Sequence, residues 1–217
     1  LHEGGFRWRK RDEAPGIPLL IDFLAPEVEA VQLEDGALQL EDEDAAANVG
    51  SHLRPLPLRA ARLVDADACE KLLEGISLVY EEGVRADVRI RYAGPVGFLA
   101  SKADALAGRS EDKDGYDVAW WCLNVASNPV EVAQIVIDRP SFRDDYFPES
   151  LQLPRMAFGA RDYVGPSGYA KERNPELGPG DEAYESDRNA AFLAVSTVVD
   201  MLVENLWEDS AGLGHAA

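Results

Sequence analysis

Apolar and polar positions alternate in short runs through the first part of the chain and recur at helical spacing after Gly94, so strands are expected first and helices later. Residues 1–16 read as an irregular arm broken by Gly4-Gly5 and Pro15-Gly16, with Phe6–Lys10 as an edge strand. Pro18–Leu24 is an apolar strand holding a single acid, Asp22, and it stops at Ala25-Pro26. Val28–Gln32 and Ala37–Leu40 flank Glu34-Asp35-Gly36, where Asp-Gly supplies the positive φ of a tight turn, and predict an antiparallel hairpin. Beyond a polar stretch, Leu58–Val64 is expected as a strand, Asp65–Leu73 as a short helix, and Ile76–Glu81 and Arg85–Tyr92 as strands. In the last of these Val88, Ile90 and Tyr92 alternate with Asp87, Arg89 and Arg91, which makes one face core and the other wet or functional.

Gly94-Pro95 opens a helix over Val96–Ala107 with Leu99, Ala103 and Leu106 on its buried stripe. After a turn at Gly108–Asp112, Asp114–Ala126 forms a second helix, with Tyr116, Trp120 and Leu123 as its core stripe. Asn128-Pro129 caps a third helix to about Ile137. The Pro- and Gly-rich residues 138–188 are expected to hold one short helix around Arg155–Tyr163. The last helix, Asn189–Trp207, carries Phe192, Val195, Val199, Leu202 and Leu206 on one stripe and Thr197, Asp200 and Glu204 on another. The pattern is that of an α/β protein, with a sheet-rich part over 1–93, its sheet mixed, and a helical C-terminal part over 94–217.

At 217 residues the chain is long enough to bury a sizeable core without covalent staples. Its cysteines, Cys69 and Cys122, form no CxxC pair and read as reduced packing residues of a cytoplasmic protein. No apolar stretch reads as a membrane span, and the opening residues have no signal-peptide pattern. The formal net charge of -19 works against nonspecific attachment to nucleic acid or anionic lipid. It leaves a noncatalytic acidic protein that recruits a basic partner as one reading of the chain. Arg7–Arg11 is the one dense cationic run; Glu41–Asp44 and Asp181–Asp187 are acidic clusters that read as solvated loops. His2, His52 and His215 lack metal-ligand spacing, and no G-x-S-x-G, G-x-G-x-x-G or Walker lysine motif occurs.

The charged positions that carry a hypothesis are few. Asp22 in an apolar strand is costly unless water reaches it at the strand end, a cation pairs with it, or it holds a metal ion. Lys102 and Arg109 lie seven residues apart and project from nearly the same side of their helix. Asp114 and Asp117 stand one turn apart at the start of the next. Lys102 as a surface lysine, Asp114 as an N-cap, and Arg109, Lys113 and Asp117 as an exposed ion-pair network are the plain alternatives.

The order of Leu-Ile-Asp-Phe-Leu-Ala-Pro-Glu, Val-Arg-Ile-Arg-Tyr, Gly-Phe-Leu-Ala-Ser-Lys-Ala-Asp-Ala-Leu-Ala-Gly-Arg and Lys-Asp-Gly-Tyr-Asp-Val resembles the nucleotidyltransferase AbiEii toxin family over roughly residues 1–126. The resemblance implies a nucleotidyltransferase-like mixed sheet with a helical C-terminal part. It implies transfer of a nucleotide from a nucleoside triphosphate to an acceptor, RNA or protein, with Mg²⁺ as cofactor. It also implies the role of toxin in a toxin–antitoxin or phage-defence pair, with an antitoxin protein as partner. Asp22 would then be a metal-holding carboxylate that activates the attacking group, and Lys102, with Arg109 beside it, would contact nucleotide phosphate. Asp114 and Asp117 would belong to the family's later motif and orient Lys102 or the acceptor. The family's opening motif, Gly-Ser followed by two spaced acids, does not precede Asp22; Gly50-Ser51 lies downstream and runs into His52-Leu53-Arg54. The chain is therefore expected to be either an N-terminally incomplete copy or a relative without catalysis.

Overall fold

The computed structural model describes the backbone of short strands between residues 2 and 40 and of residues 56–77, 83–109 and 112–212; side chains are described over 58–76, 83–106 and 112–207. The protein combines helix and strand and has a helical C-terminal part. It divides into two compact units, Leu1–Arg62 and Leu63–Ala217.

In the first unit, β1 (His2–Glu3), β2 (Arg7–Lys10) and β3 (Leu19–Asp22) form an antiparallel sheet in that order. The strand expected at the edge is therefore the central one, because His2–Glu3 pairs along its other side. The expected strand Pro18–Leu24 divides into β3 and β4 (Leu24–Pro26), and β4 pairs in parallel with β7 (Leu56–Leu58). β5 (Ala30–Gln32) and β6 (Leu38–Leu40) make the expected antiparallel hairpin, with Val31 opposite Gln39; its Asp-Gly turn lies outside the described residues.

Residues 58–73 run against expectation. Ala61–Ala66 is a helix, α1, where a strand was predicted, and Cys69–Ser77 is a strand, β8, where a helix was predicted. Glu70-Lys71-Leu72-Leu73 are good helix formers by themselves. Pairing with β9 (Arg85–Tyr92), Cys69 opposite Tyr92 and Leu73 opposite Val88, overrides that preference. Gly75, at φ 62°, forms the bulge between Leu73 and Ile76, and its N–H donates to Asp87 Oδ1 at 2.9 Å. Of the face expected to be core, Val88 is half-buried, while Ile90 and Tyr92 remain exposed. Within the expected strand Ile76–Glu81, the described residues Ile76 and Ser77 belong to β8; the rest lies outside the described residues.

The helical part runs α2 (Pro95–Arg109), α3 (Asp112–Asn124), α4 (Pro129–Ile137), a 3₁₀ turn at Pro140–Arg143, α5 (Tyr146–Ser150), α6 (Gln152–Ala157), α7 (Val164–Arg173) and α8 (Glu182–Gly212). The expected stripe of α2 is buried, including Leu99, Ala103 and Leu106. That of α3 is not: Val118, Ala119 and Cys122 face the core, and Trp120 is 46% exposed. The core side of α3 is chosen by close packing on α7. A Cβ on Gly115 would lie 2.9 Å from the Gly165 carbonyl oxygen, and one on Gly168 would lie 2.7 Å from that of Asp112. Tyr116 stacks on Tyr169 at 5.5 Å across the same seam, and Lys171 closes it by pairing with Asp112.

Only one helix was expected between residues 138 and 188, because Pro and Gly were read as breakers. Pro166 instead occupies the first turn of α7, where a missing N–H costs nothing, and the glycines let backbones touch. The expected helix at Arg155–Tyr163 ends at Ala157. α8 begins at Glu182, ahead of the expected Asn189, and packs on α3, α4 and α7. Val195, Val199 and Leu202 of its predicted stripe are buried, and Phe192 and Leu206 are half-buried. By length and composition its segment Glu182–Trp207 also meets the requirement for a membrane span, which the sequence reading missed because charged residues interrupt its ends.

Candidate functional site

Lys102 lies on α2 and projects toward the first turns of α3. Its Nζ donates to Asp117 Oδ2 at 2.5 Å and stands 3.8 Å from Asp114 Oδ1. Asp114 is wholly buried, whereas the Lys102 and Asp117 side chains are 21% and 25% exposed, so solvent reaches the cluster at Lys102 and Asp117. Because α3 starts at Asp112, Asp114 sits inside the first turn. There the helix dipole favours its charge. Phe98 and Trp121 stack at 5.4 Å and hold the two helices together beside this corner. One ammonium between two carboxylates leaves a net negative charge in a poorly hydrated place, which amplifies every charge–charge interaction there.

Three of the expected site residues, Lys102, Asp114 and Asp117, thus form one cluster. Arg109 is the last residue of α2, and its side chain lies outside the described residues. Lys113 is exposed, and Asp117 pairs with Lys102. Asp22 is the last residue of β3, in the first unit, and stands opposite Arg7 in the β2–β3 register.

A second buried carboxylate escaped sequence reasoning. Asp67, between α1 and β8, is fully buried, and its Oδ2 accepts the backbone N–H groups of Val96 at 2.8 Å and Gly97 at 3.1 Å. Its Oδ1 accepts Arg139 Nε at 2.8 Å and Ser141 Oγ at 2.7 Å, and Arg139 Nη2 donates to its carbonyl at 3.0 Å. The hydrogen bond that Arg139 donates to the Asp67 carboxylate raises the Arg139 pKa above its ordinary value. Asp67 is thus a remote N-cap for α2. A Cβ on Gly94 would collide with both its carbonyl and its carboxylate. One signal did exist: Ala93-Gly94-Pro95 opens a helix with no Ser, Thr, Asp or Asn at the cap, so an acceptor must come from elsewhere. With its oxygens saturated, Asp67 is structural.

Among the described residues no three His, Cys, Asp or Glu side chains come together as a metal site. Asp114 and Asp117 are shared with Lys102, a poor arrangement for a divalent cation. No family model matches the chain, and no curated protein or solved structure gives a significant match.

Proposed function

We propose that the chain is a nucleotidyltransferase-like protein that moves a nucleotide from a nucleoside triphosphate to an RNA or protein acceptor in the cytoplasm. Its role in this reading is the toxin of a toxin–antitoxin or phage-defence pair, restrained by an antitoxin protein. The observation that carries the reading is the meeting of Lys102 with Asp114 and Asp117 across the α2–α3 corner, the constellation that the family resemblance leads one to expect.

Lys102 is the phosphate contact of this scheme: a compact ammonium with several donors on a flexible stem. Asp117, hydrogen-bonded to it, sets its direction, and the buried Asp114 is a fixed charge that keeps the ammonium at the corner. Mg²⁺ and the activating role of Asp22 rest on the resemblance alone, and no step is derived through them.

The rival reading is a noncatalytic acidic protein that binds a basic partner. It is favoured by the two carboxylates beside Lys102, which oppose an incoming triphosphate, and by the formal charge of -19. Titration calorimetry with each nucleoside triphosphate and Mg²⁺, on the protein and on Lys102→Met, separates the two. Saturable heat with one nucleotide, lost in the variant, is the expected result; silence with all of them ends the transferase reading.

A further inference from the structure

β8 and β9 form a two-stranded ribbon, and among the described residues β8 is the one strand beside β9. A ribbon of two strands is marginally stable in water by itself, and a further strand along its edge adds what it lacks. The bulge at Gly75 lies in β8, so the alternation of side chains along β9 runs without a break. Ala86, Val88, Ile90 and Tyr92 therefore share one face, and Val84 precedes them in the same alternation. On that face Val84, Ile90 and Tyr92 are 41%, 38% and 49% exposed, a row of apolar side chains left in water. Arg85, Asp87, Arg89 and Arg91 share the other face and are all exposed.

This strand complements itself. When two copies of β9 run antiparallel about a twofold axis at Val88, Val88 meets Val88, Ile90 meets Ala86 and Tyr92 meets Val84, so each exposed apolar side chain gains an apolar neighbour across the strands. In the same register Asp87 of each copy stands opposite Arg89 of the other. Asp87 Oδ1 accepts the Gly75 N–H, which leaves Oδ2 for that contact, and the Arg89–Glu70 pair is exposed on both sides and so weakly held. Arg85 falls opposite Arg91, whose charge Asp65 already offsets. Slipping the register by two residues sets Arg89 against Arg89 in one direction and Asp87 against Asp87 in the other. From this match we infer that β9 pairs edge to edge with β9 of a second copy, making a four-stranded antiparallel sheet across a twofold axis. One strand edge covers less than the roughly 1,600 Å² of a standard interface, so the dimer forms and dissociates with concentration. The inference is independent of the nucleotidyl-transfer reading, because none of its residues belongs to the Lys102 cluster.

The test is sedimentation velocity of the full chain over about a hundredfold range of concentration, in which the average mass is expected to rise from that of one chain toward that of two. Asp87→Arg sets an arginine against Arg89 of the second copy, and Arg89→Asp sets an aspartate against Asp87. Each variant alone is expected to need about tenfold more protein to associate. An equimolar mixture of the two restores both opposite-charge pairs and should associate as the parent does. Circular dichroism checks that each variant is folded. Should a charge variant fail to fold, Val88→Cys on a Cys69→Ser background is oxidised instead: the new thiols meet at the twofold axis within disulfide reach and join two chains, whereas Leu72→Cys on β8 does not. A parent mass that stays at one chain over the whole range overturns the inference. So does association that both charge variants keep undiminished, a mixture of folded variants that fails to recover it, or equal cross-linking at the two cysteine positions.

Discussion

Asp67 and Arg139 lie 72 positions apart in the chain and meet side chain to side chain at 2.8 Å, with the Asp67 carboxylate fully buried and also capping α2. One residue thereby ties the start of β8, the start of α2 and the segment after α4. Asp67→Ala removes the cap and leaves Arg139 Nε and the first α2 amides without their acceptor, while Arg139 Nη2 keeps the backbone carbonyl. A loss of about 3–5 kcal/mol is expected, the range for breaking a buried pair. Ser141→Ala removes a single hydrogen bond to the carboxylate and should cost less, about 1.5–3 kcal/mol. Urea unfolding followed by circular dichroism compares the two; equal, small losses would show that Asp67 is not the tie described.

Lys102 allows structure and chemistry to be separated. Lys102→Met removes the donor that Asp117 uses, at an expected cost of about 1.5–3 kcal/mol for a hydrogen bond between charged groups. Lys102→Arg keeps the charge but replaces a compact ammonium by a planar fork. It should recover most of the stability in thermal unfolding, while nucleotide affinity in calorimetry stays well below that of the parent protein. Recovery of both together would mean that Lys102 acts on nucleotide only through its charge.

How far the sequence could be read follows from which forces are local. The apolar stripe of α2 and the Asn128 cap of α4 are set by neighbours in the chain, and both are found as expected; the Asn128 side chain accepts the Glu131 N–H at 3.1 Å. The Lys102 cluster is nearly as local, since α2 and α3 are consecutive. Cys69–Ser77 was misread because its partner strand, not its own helix propensity, decides its state. Trp120 was placed in the core, as its size suggests, but Gly115 and Ala119 let α7 and the rest of the core come closer on another face. Asp67 stayed hidden because its partners lie 29 to 74 positions away.

The α3–α7 seam gives a third prediction. Gly168→Ala and Gly115→Ala place a methyl group against backbone, which cannot swing aside as a flexible side chain can. Overpacking of about 1–3 kcal/mol should outweigh the roughly 1 kcal/mol that Ala gains over Gly inside a helix. Gly178→Ala is the control: its Cβ meets nothing within 4 Å, so a change near zero or a small stabilisation is expected. Calorimetric melting of the three variants decides. A Gly168→Ala protein that melts above the parent would show that the helices separate without penalty.

Cys122 provides a pH-dependent reporter of the core. Burial pushes its thiol from the ordinary 9.0 up to about 12, because a thiolate there would lose its hydration. The folded protein therefore holds this proton more tightly than the unfolded chain, and the linked stability is present in full below about pH 9 and lost as pH climbs toward 12. At pH 8 the native thiol is also almost free of thiolate, the reactive form. Of the 2 cysteines, the partly exposed Cys69 should react promptly with a disulfide reagent. Cys122 should wait for unfolding, so that its labelling rate rises with urea as the global unfolding rate does. Two fast equivalents in the absence of denaturant would mean that the α3 core face opens locally, and the buried position of Cys122 would have to be abandoned.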